Sequence, residues 1–163
     1  MTQVLLHAPQ DFTNVCVIAR TLEAFGVPSC LVFDPHRLIR PRYGKSYTQR
    51  LRTVSAGAFF KIAWRTVAEP AEILAAHPGR CIAVSSSAAA ASLFDVSVRA
   101  DDLFVFGSEG QGVPAGLVAA CAAEVTIPMS GATRSLNLAV AVGIVLAEHA
   151  RQTVRGRRVD QTK

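Results

Sequence analysis

The apolar positions along this 163-residue chain form short continuous runs that alternate with stripes of helical spacing. The runs Cys81–Val84 and Leu103–Phe106 are typical of strands buried on both faces of a parallel sheet. Between Thr13 and Gly26, apolar residues recur at three- and four-residue intervals, which predicts a helix with one buried side. The alternation favours an α/β fold with a mainly parallel sheet and helices on both faces.

The ends of the predicted elements are marked by capping and turn residues. Thr13 or Asn14 is expected to cap the first helix, and Gly26 to end it. Further strands are predicted at Val4–His7, Cys30–Phe33, Phe59–Trp64 and Val125–Ile127, and further helices at Pro70–Ala76, from Pro114 to about Ala122, and from Ser135, as N-cap, to about Gln152. Between the second and third strands lies a basic segment with turn signals at Pro41 and Tyr43-Gly44.

Composition limits the class of protein. The length is that of one domain, and 50% apolar residues are enough for a sizeable core, which excludes disorder over most of the chain. The longest strongly apolar run, Leu138–Ala147, is too short for a membrane span, which needs about 18–20 residues. Residues 1–9 lack the pattern of a secretory signal. The four cysteines are far apart and form no metal or disulfide pattern, so we expect a reducing, cytoplasmic location and no metal: Cys16, Cys30, Cys81 and Cys121.

The positive charge is concentrated in two segments. Residues 35–68 carry no acidic residue and eight basic ones, which are Arg37, Arg40, Arg42, Lys45, Arg50, Arg52, Lys61 and Arg65. The tail Arg151–Lys163 adds Arg151, Arg155, Arg157, Arg158 and Lys163 against a single acid, Asp160. This asymmetry favours a polyanionic partner such as nucleic acid, and the alternative is a solvated basic surface.

A glycine-rich segment, residues 106–114, follows the buried strand Leu103–Phe106 and precedes a predicted helix at Pro114. Glycines let the backbone approach a ligand closely, and ligands of open α/β sheets bind at the carboxyl ends of strands. Gly110-x-Gly112-x-x-Ala115 also matches a dinucleotide fingerprint. That match lies late in the chain, however, and no acidic residue follows about 20 residues on, so a simple glycine turn is an equal alternative.

A second loop of small residues, 128–134, joins the predicted strand at Val125–Ile127 to the long apolar helix. Asn137 lies near the start of that helix, where a buried amide would need hydrogen-bond partners. The two loops are close enough in sequence to form two walls of one pocket. Arg20 falls away from the apolar side of the first helix, where its plain interpretation is a surface residue paired with Glu23.

Together these residues resemble the three ordered motifs of the SpoU/TrmH family of RNA ribose 2′-O-methyltransferases. The resemblance is carried by Asn14-x5-Arg20, by Phe106-Gly107-x-Glu109-Gly110-x-Gly112-Val113-Pro114, and by Ile127-Pro128-Met129 with Ser135-Leu136-Asn137. Ser55-Ala56-Gly57-Ala58 resembles a further stretch common in the family. The resemblance covers residues 3–152.

The resemblance implies a SPOUT-type domain over residues 1–152 with a C-terminal trefoil knot. From its charge, we expect the basic tail 153–163 to be flexible. It also implies a homodimer that binds S-adenosylmethionine and transfers its methyl group to a ribose 2′-oxygen of RNA. The residues implied for the cofactor are Val84, Ser85, Gly107, Gly112, Ile127, Met129, Ser135 and Leu136. Those implied for catalysis are Asn14, Arg20, Glu109, Ser135 and Asn137.

The RNA substrate is predicted from size and charge. The compact chain resembles the minimal tRNA-modifying members, so tRNA is favoured, with rRNA as the alternative. We expect RNA contacts from six basic residues: Arg42, Lys45, Arg50, Arg52, Arg151 and Arg155. A non-catalytic RNA-binding module of the same fold is a further hypothesis, which the intact catalytic set disfavours.

Overall fold

Seven strands form one parallel sheet in this computed structural model, which describes residues 2–39 and 45–153 apart from the side chain of Lys45. The strands are β1 (Gln3–His7), β2 (Ser29–Phe33), β3 (Ala63–Thr66), β4 (Cys81–Ser85), β5 (Ala91–Ser92), β6 (Leu103–Phe106) and β7 (Ala123–Thr126). Their order is β3-β2-β1-β6-β4-β7-β5, and every pair is parallel. The predicted parallel sheet is confirmed.

Helices cover both faces of the sheet, as the sequence predicts. They are α1 (Phe12–Ala24), α2 (Lys45–Val54), a 3-10 helix (Ala58–Lys61), α3 (Pro70–Ala76), α4 (Ala115–Ala120) and α5 (Leu138–Thr153). Helices α1, α2 and α5 cover one face together with the 3-10 helix, and α3 and α4 cover the other. The trefoil knot implied by the resemblance stays a prediction.

Residues that alternate along the central strands fill two separate cores. Leu6 and Phe106 belong to the core beneath α1 and α5, whereas Leu5 and Val105 belong to the core beneath α3 and α4. Because both faces are buried, these strands carry continuous apolar runs with no polar alternation. Because all strands are parallel, their carboxyl ends lie at one edge of the sheet, between two layers of helices.

The start of α1 differs from the prediction, because Asp11 is its N-cap in place of Thr13 or Asn14. The Asp11 carboxylate accepts hydrogen bonds from the backbone N–H groups of Thr13 and Asn14. A carboxylate that precedes the first turn satisfies two otherwise unpaired donors there. The predicted end at Gly26 is confirmed, since α1 stops at Ala24 and Gly26 takes the left-handed conformation with φ +68°.

The predicted strand Phe59–Trp64 is wrong in its first half. Gly57, at φ +80°, begins the 3-10 helix Ala58–Lys61, and the strand starts only at Ala63. The buried Ser55 hydroxyl accepts a bond from the Phe59 N–H and so fixes this turn. Helix α2 was not predicted, because its mostly polar and basic sequence gives little apolar periodicity.

The long C-terminal helix begins at Leu138, so the predicted N-cap Ser135 is wrong. Asn137 caps the helix, since its Oδ1 accepts bonds from the N–H groups of Ala139 at 2.8 Å and Val140 at 3.4 Å. Asn137 is also exposed and not buried as expected. Residues before it are therefore free to form an open loop at the carboxyl edge of the sheet.

Candidate active site

A cleft of about 290 Å³ opens where β4, β6 and β7 end, and these three strands are neighbours in the sheet. Ligands of open α/β sheets bind at this edge. The structure brings all eight residues implied for the cofactor to this one cleft: Val84, Ser85, Gly107, Gly112, Ile127, Met129, Ser135 and Leu136. They come from three segments that together span more than 50 residues of sequence, from Val84 to Leu136.

The loop after β6 is the most tightly built wall of the cleft. Ser108 and Gly112 form an antiparallel bridge, in which Gly112 N donates to Ser108 O at 2.9 Å and Ser108 N donates to Gly112 O at 3.2 Å. A Cβ added to Gly107 would lie 1.7 Å from the carbonyl carbon of Gly112. No side chain fits there, so glycine at this position allows two backbone segments to close the loop.

The wall at the end of β4 is fixed by a side chain from β7. Ser85 Oγ donates to Glu124 Oε1 at 2.6 Å and accepts from the Ser87 N–H at 3.1 Å. The hydroxyl group of Ser85 is thus occupied within the chain. Ser85 therefore fixes the backbone of this wall.

Three of the five predicted catalytic residues form one hydrogen-bond chain beside the cleft. Asn137 Nδ2 donates to Asn14 Oδ1 at 2.8 Å, and Asn14 Nδ2 donates to Glu109 Oε1 at 2.8 Å. Glu109 also accepts from the backbone N–H groups of Gln10 at 2.8 Å and Asp11 at 3.2 Å. This series of hydrogen bonds links α1, the loop after β6 and the start of α5. Both Glu109 oxygens accept hydrogen bonds from N–H donors, which holds the side chain in position.

Ser135 lies on the open loop that lines the cleft and is exposed. Within the described residues, its hydroxyl group has no hydrogen-bond partner in the chain. Unlike Ser85, it is therefore available to a ligand.

Arg20 is the predicted catalytic residue that the fold does not bring to the cleft of its own chain. It is exposed on α1, six residues or about 9 Å along the helix axis from Asn14. The expected pairing with Glu23 is wrong, because Glu23 instead pairs with Lys61 at 2.7 Å. Among the described residues, Arg20 has no hydrogen bond or ion pair.

The residues expected to contact RNA are distributed over two regions. The guanidinium carbon of Arg50 lies 5.2 Å from the centre of the Phe12 ring, and that of Arg52 lies 5.3 Å from the centre of the Phe60 ring. Arg151 is held by Glu148 through two bonds of 2.7 Å. Arg42 and Arg155 lie outside the described residues, as does the Lys45 side chain.

The cleft contains residues that the motifs did not single out, among them Ser86, Gln111 and Thr126. Glu124 was missed as well, because it acts through Ser85. Asp11 was missed although an acid before an apolar stripe is a helix-start signal that could have identified it. In the part of the chain that the structure describes, no group of three His, Cys, Asp or Glu residues could hold a metal ion. No helix there is long and apolar enough to cross a membrane.

A parallel α/β domain with two loops that close a cleft at the carboxyl edge defines the structural class of this protein. The model of the SpoU rRNA Methylase family matches residues 1–147, and the chain belongs to that family.

One curated relative is a tRNA (cytidine(34)-2′-O)-methyltransferase of Beijerinckia indica. It is 40% identical over 74 residues, which are 45% of this chain and 46% of that protein. An uncharacterized tRNA/rRNA methyltransferase of Mycobacterium tuberculosis is 33% identical over 156 residues, which are 94% of this chain and 46% of that protein. The chain spans about half the length of the curated relatives it matches.

Solved structures share the fold. A structure described as giving insights into the 2-OH methylation of C/U34 on tRNA is 32% identical, with a TM-score of 0.75 over 93% of this chain and 95% of that one. The A. aeolicus TrmH/SpoU tRNA modifying enzyme has a TM-score of 0.80 at 24% identity, over 93% of this chain and 74% of that one. An AdoMet-bound rRNA methyltransferase from Sinorhizobium meliloti has a TM-score of 0.75 at 24% identity, over 92% and 56%.

Proposed function

We propose that this protein is an RNA methyltransferase that transfers a methyl group from S-adenosylmethionine to a ribose 2′-hydroxyl, with tRNA as the favoured substrate and rRNA as the alternative. The observation that carries the proposal is the convergence of all eight cofactor-motif residues on one cleft. The relative and the solved structure that concern position 34 of tRNA support the choice of tRNA. The four cysteines are free thiols, which fits a reducing, cytoplasmic location.

The cleft fits an adenosine-type cofactor because a closed glycine-rich loop and apolar side chains line it together. Gly107 leaves no room for a Cβ, so the loop closes on itself through the Ser108–Gly112 bridge and forms one wall of the cleft. Val84, Ile127 and Leu136 supply apolar surface for a flat ring, which matches the usual lining of cofactor sites. When bound, S-adenosylmethionine supplies a methyl group already activated by a sulfonium.

The protein's own task is then to align the ribose oxygen and to manage its proton. The Arg20 guanidinium carries only N–H donors and no acceptor, so it is unsuited to accept a proton. In the proposed mechanism its guanidinium binds the phosphate next to the reacting ribose and stabilises the developing negative charge on the 2′-oxygen. The substrate phosphate takes the proton, either directly or through a relay in which the exposed Ser135 hydroxyl accepts the proton from the 2′-oxygen and passes its own proton on. The Asn137–Asn14–Glu109 chain keeps both loops in position.

We further propose that the active protein is a homodimer in which Arg20 acts in the partner's site. Val17 on α1 and Val140 on α5 are exposed by 39% and 49%, although α1 and α5 pack against each other. A second copy on this apolar surface would bury both valines. Arg20 is one helical turn from Val17, so the same contact would carry Arg20 into the interface.

The experiment that tests the proposal is methylation of total tRNA and total rRNA with labelled S-adenosylmethionine, followed by mapping of the product nucleotide. We expect the label in tRNA. The phosphodiester on the 3′ side of the labelled nucleotide should resist alkaline cleavage, because the 2′-oxygen is blocked. Label that leaves the 2′-hydroxyl free would mean base methylation and would overturn the ribose assignment. Binding of S-adenosylmethionine without transfer to any RNA would favour the non-catalytic module.

A further inference from the structure

A second cleft, of about 430 Å³, opens at the carboxyl ends of β2 and β3. Its lining includes Phe33, Asp34, Arg37, Thr66 and Val67. The family motifs and the six predicted RNA contacts include none of these residues, although Arg37 belongs to the basic segment 35–68. Because all strands are parallel, this cleft lies at the same edge of the sheet as the proposed cofactor cleft.

The loop that carries the cleft is fixed by side-chain bonds to its backbone. Asp34 Oδ1 accepts from the Leu38 N–H at 2.8 Å, and Oδ2 accepts from the Ile39 N–H at 2.9 Å. Tyr47 of α2 donates its hydroxyl hydrogen to Leu38 O at 2.9 Å, and Ile39 is buried in the core. Both Asp34 oxygens are therefore engaged by the loop itself.

Arg37 lies between these anchors in an uncommon conformation. Its φ is +56°, a left-handed value that costs a non-glycine residue free energy and is frequent at functional sites. The side chain is exposed and has no hydrogen bond or ion pair among the described residues. The loop thus holds a free guanidinium at the cleft.

An aromatic ring forms another side of the cleft. Phe33 is half-buried and stacks on His7 of the neighbouring strand, with ring centres 4.9 Å apart and planes inclined by 25°. A cation beside an aromatic surface matches the two parts of a nucleotide, since guanidinium binds phosphate and aromatic rings bind bases.

We propose that this cleft binds a nucleotide of the substrate RNA that flanks the methylated one, with Arg37 on a phosphate and Phe33 against a base. The inference rests on the proposed function. In the sheet, β2 and β3 are two and three strands away from β6, which is about 10–14 Å at about 4.8 Å per strand. At about 3.4 Å per stacked nucleotide, the two clefts would be roughly three or four nucleotides apart.

The test compares Arg37→Ala with Arg99→Ala in the full-length protein. Arg99 is also an exposed arginine, but it precedes β6 and lies at the opposite edge of the sheet. Affinity is measured at several salt concentrations for a tRNA transcript that the wild type methylates. Affinity for S-adenosylmethionine is measured in parallel. For Arg37→Ala we expect about tenfold weaker RNA binding and a salt slope smaller by about 0.7–0.9, with unchanged cofactor affinity. Arg99→Ala should match the wild type.

Two further variants separate binding from folding. Arg37→Lys keeps the charge and should recover most of the salt slope but less of the affinity, because a fork of donors is lost. Phe33→Leu keeps an apolar side chain and should weaken RNA binding about fivefold or more, and thermal unfolding shows whether it is folded.

The outcomes distinguish the two proposals. If wild-type protein methylates RNA but Arg37→Ala and Arg99→Ala behave alike, the second cleft is not an RNA subsite and the proposed function stands. If the wild type binds neither S-adenosylmethionine nor RNA, the proposed function itself fails. RNA truncated by a few nucleotides on the flanking side should bind wild type and Arg37→Ala equally. A persistent difference between them would overturn the flanking position.

Discussion

Asn14 and Glu109, which are 95 residues apart in sequence, are joined by a 2.8 Å hydrogen bond from Asn14 Nδ2 to Glu109 Oε1. The bond connects the first turn of α1 to the glycine-rich loop after β6. Asn137 extends the same chain from α5. One line of side chains therefore sets the relative position of the three segments that surround the proposed methyl-transfer site.

Glu109→Gln is expected to loosen this arrangement. A glutamine side chain has one acceptor oxygen where the carboxylate has two, so at least one of the three N–H donors loses its partner, at a cost of about 1–3 kcal/mol. We expect about tenfold weaker binding of S-adenosylmethionine, measured by calorimetry. Glu69→Gln, whose side chain makes no capping bond, is the matched control. Equal affinity of the two variants for S-adenosylmethionine would show that the Asn137–Asn14–Glu109 hydrogen bonds do not support the cleft.

Gly107→Ala is expected to abolish binding of S-adenosylmethionine while the protein remains folded. The added Cβ would overlap the backbone of Gly112 and force the 108–112 loop away from its position. Gly116→Ala is the control, because a Cβ at Gly116 meets no atom within 4 Å and the residue is in helix α4, where alanine is favoured. Cofactor affinity unchanged by Gly107→Ala would place the binding site elsewhere.

Arg20→Ala is expected to reduce the single-turnover methylation rate by about 10²–10⁴-fold with saturating RNA, the range for a positioned catalytic group. If Arg20 acts across a dimer, mixing Arg20→Ala subunits with Gly107→Ala subunits should restore activity. Each mixed dimer would then contain one site with an intact cofactor loop and an intact Arg20. Absence of any recovery, with subunit exchange verified by light scattering of tagged chains, contradicts action in the partner's site.

Glu148 makes stability depend on pH. Its hydrogen bonds with Arg151, and then with Gln152, lower the pKa of this buried carboxyl from 4.5 to about 2. A depressed pKa stabilises the folded state fully above about pH 4.5, and the stabilisation is lost as the pH falls toward 2. Because Arg151 is 63% exposed, we expect Glu148→Gln to cost only about 1–2 kcal/mol at pH 7.

The difference between Glu148→Gln and wild type should shrink when urea unfolding is repeated at pH 3. Glu23→Gln provides the comparison, since the Lys61–Glu23 pair is exposed on both sides and should contribute less than about 0.5 kcal/mol. A Glu148→Gln deficit of the same size at pH 7 and pH 3 would mean that the interaction is not ionic.

The sequence by itself determined the fold class and the central strands β1, β2, β4 and β6, whereas β5 was not predicted. Leu103–Phe106 was predicted with its observed bounds, because a strand covered on both faces must be apolar at every position. Elements at the surface were less predictable. Helix α2 is mostly polar and basic, and the turn at Gly57 depends on a Ser55 hydroxyl whose bonds no periodicity reveals.

The candidate site divides in the same way. Gly107 stood out in the sequence as part of a glycine-rich segment after a buried strand, and Asn14 stood out through the resemblance to the family's first motif. Only the tertiary structure decided that the Glu109 carboxylate accepts hydrogen bonds from three N–H donors. It also decided that Asn137 caps α5 and that Glu124 fixes Ser85. The order of strands in the sheet brings these groups together, and strand order follows from packing between distant segments, which no local pattern of apolar and polar residues encodes.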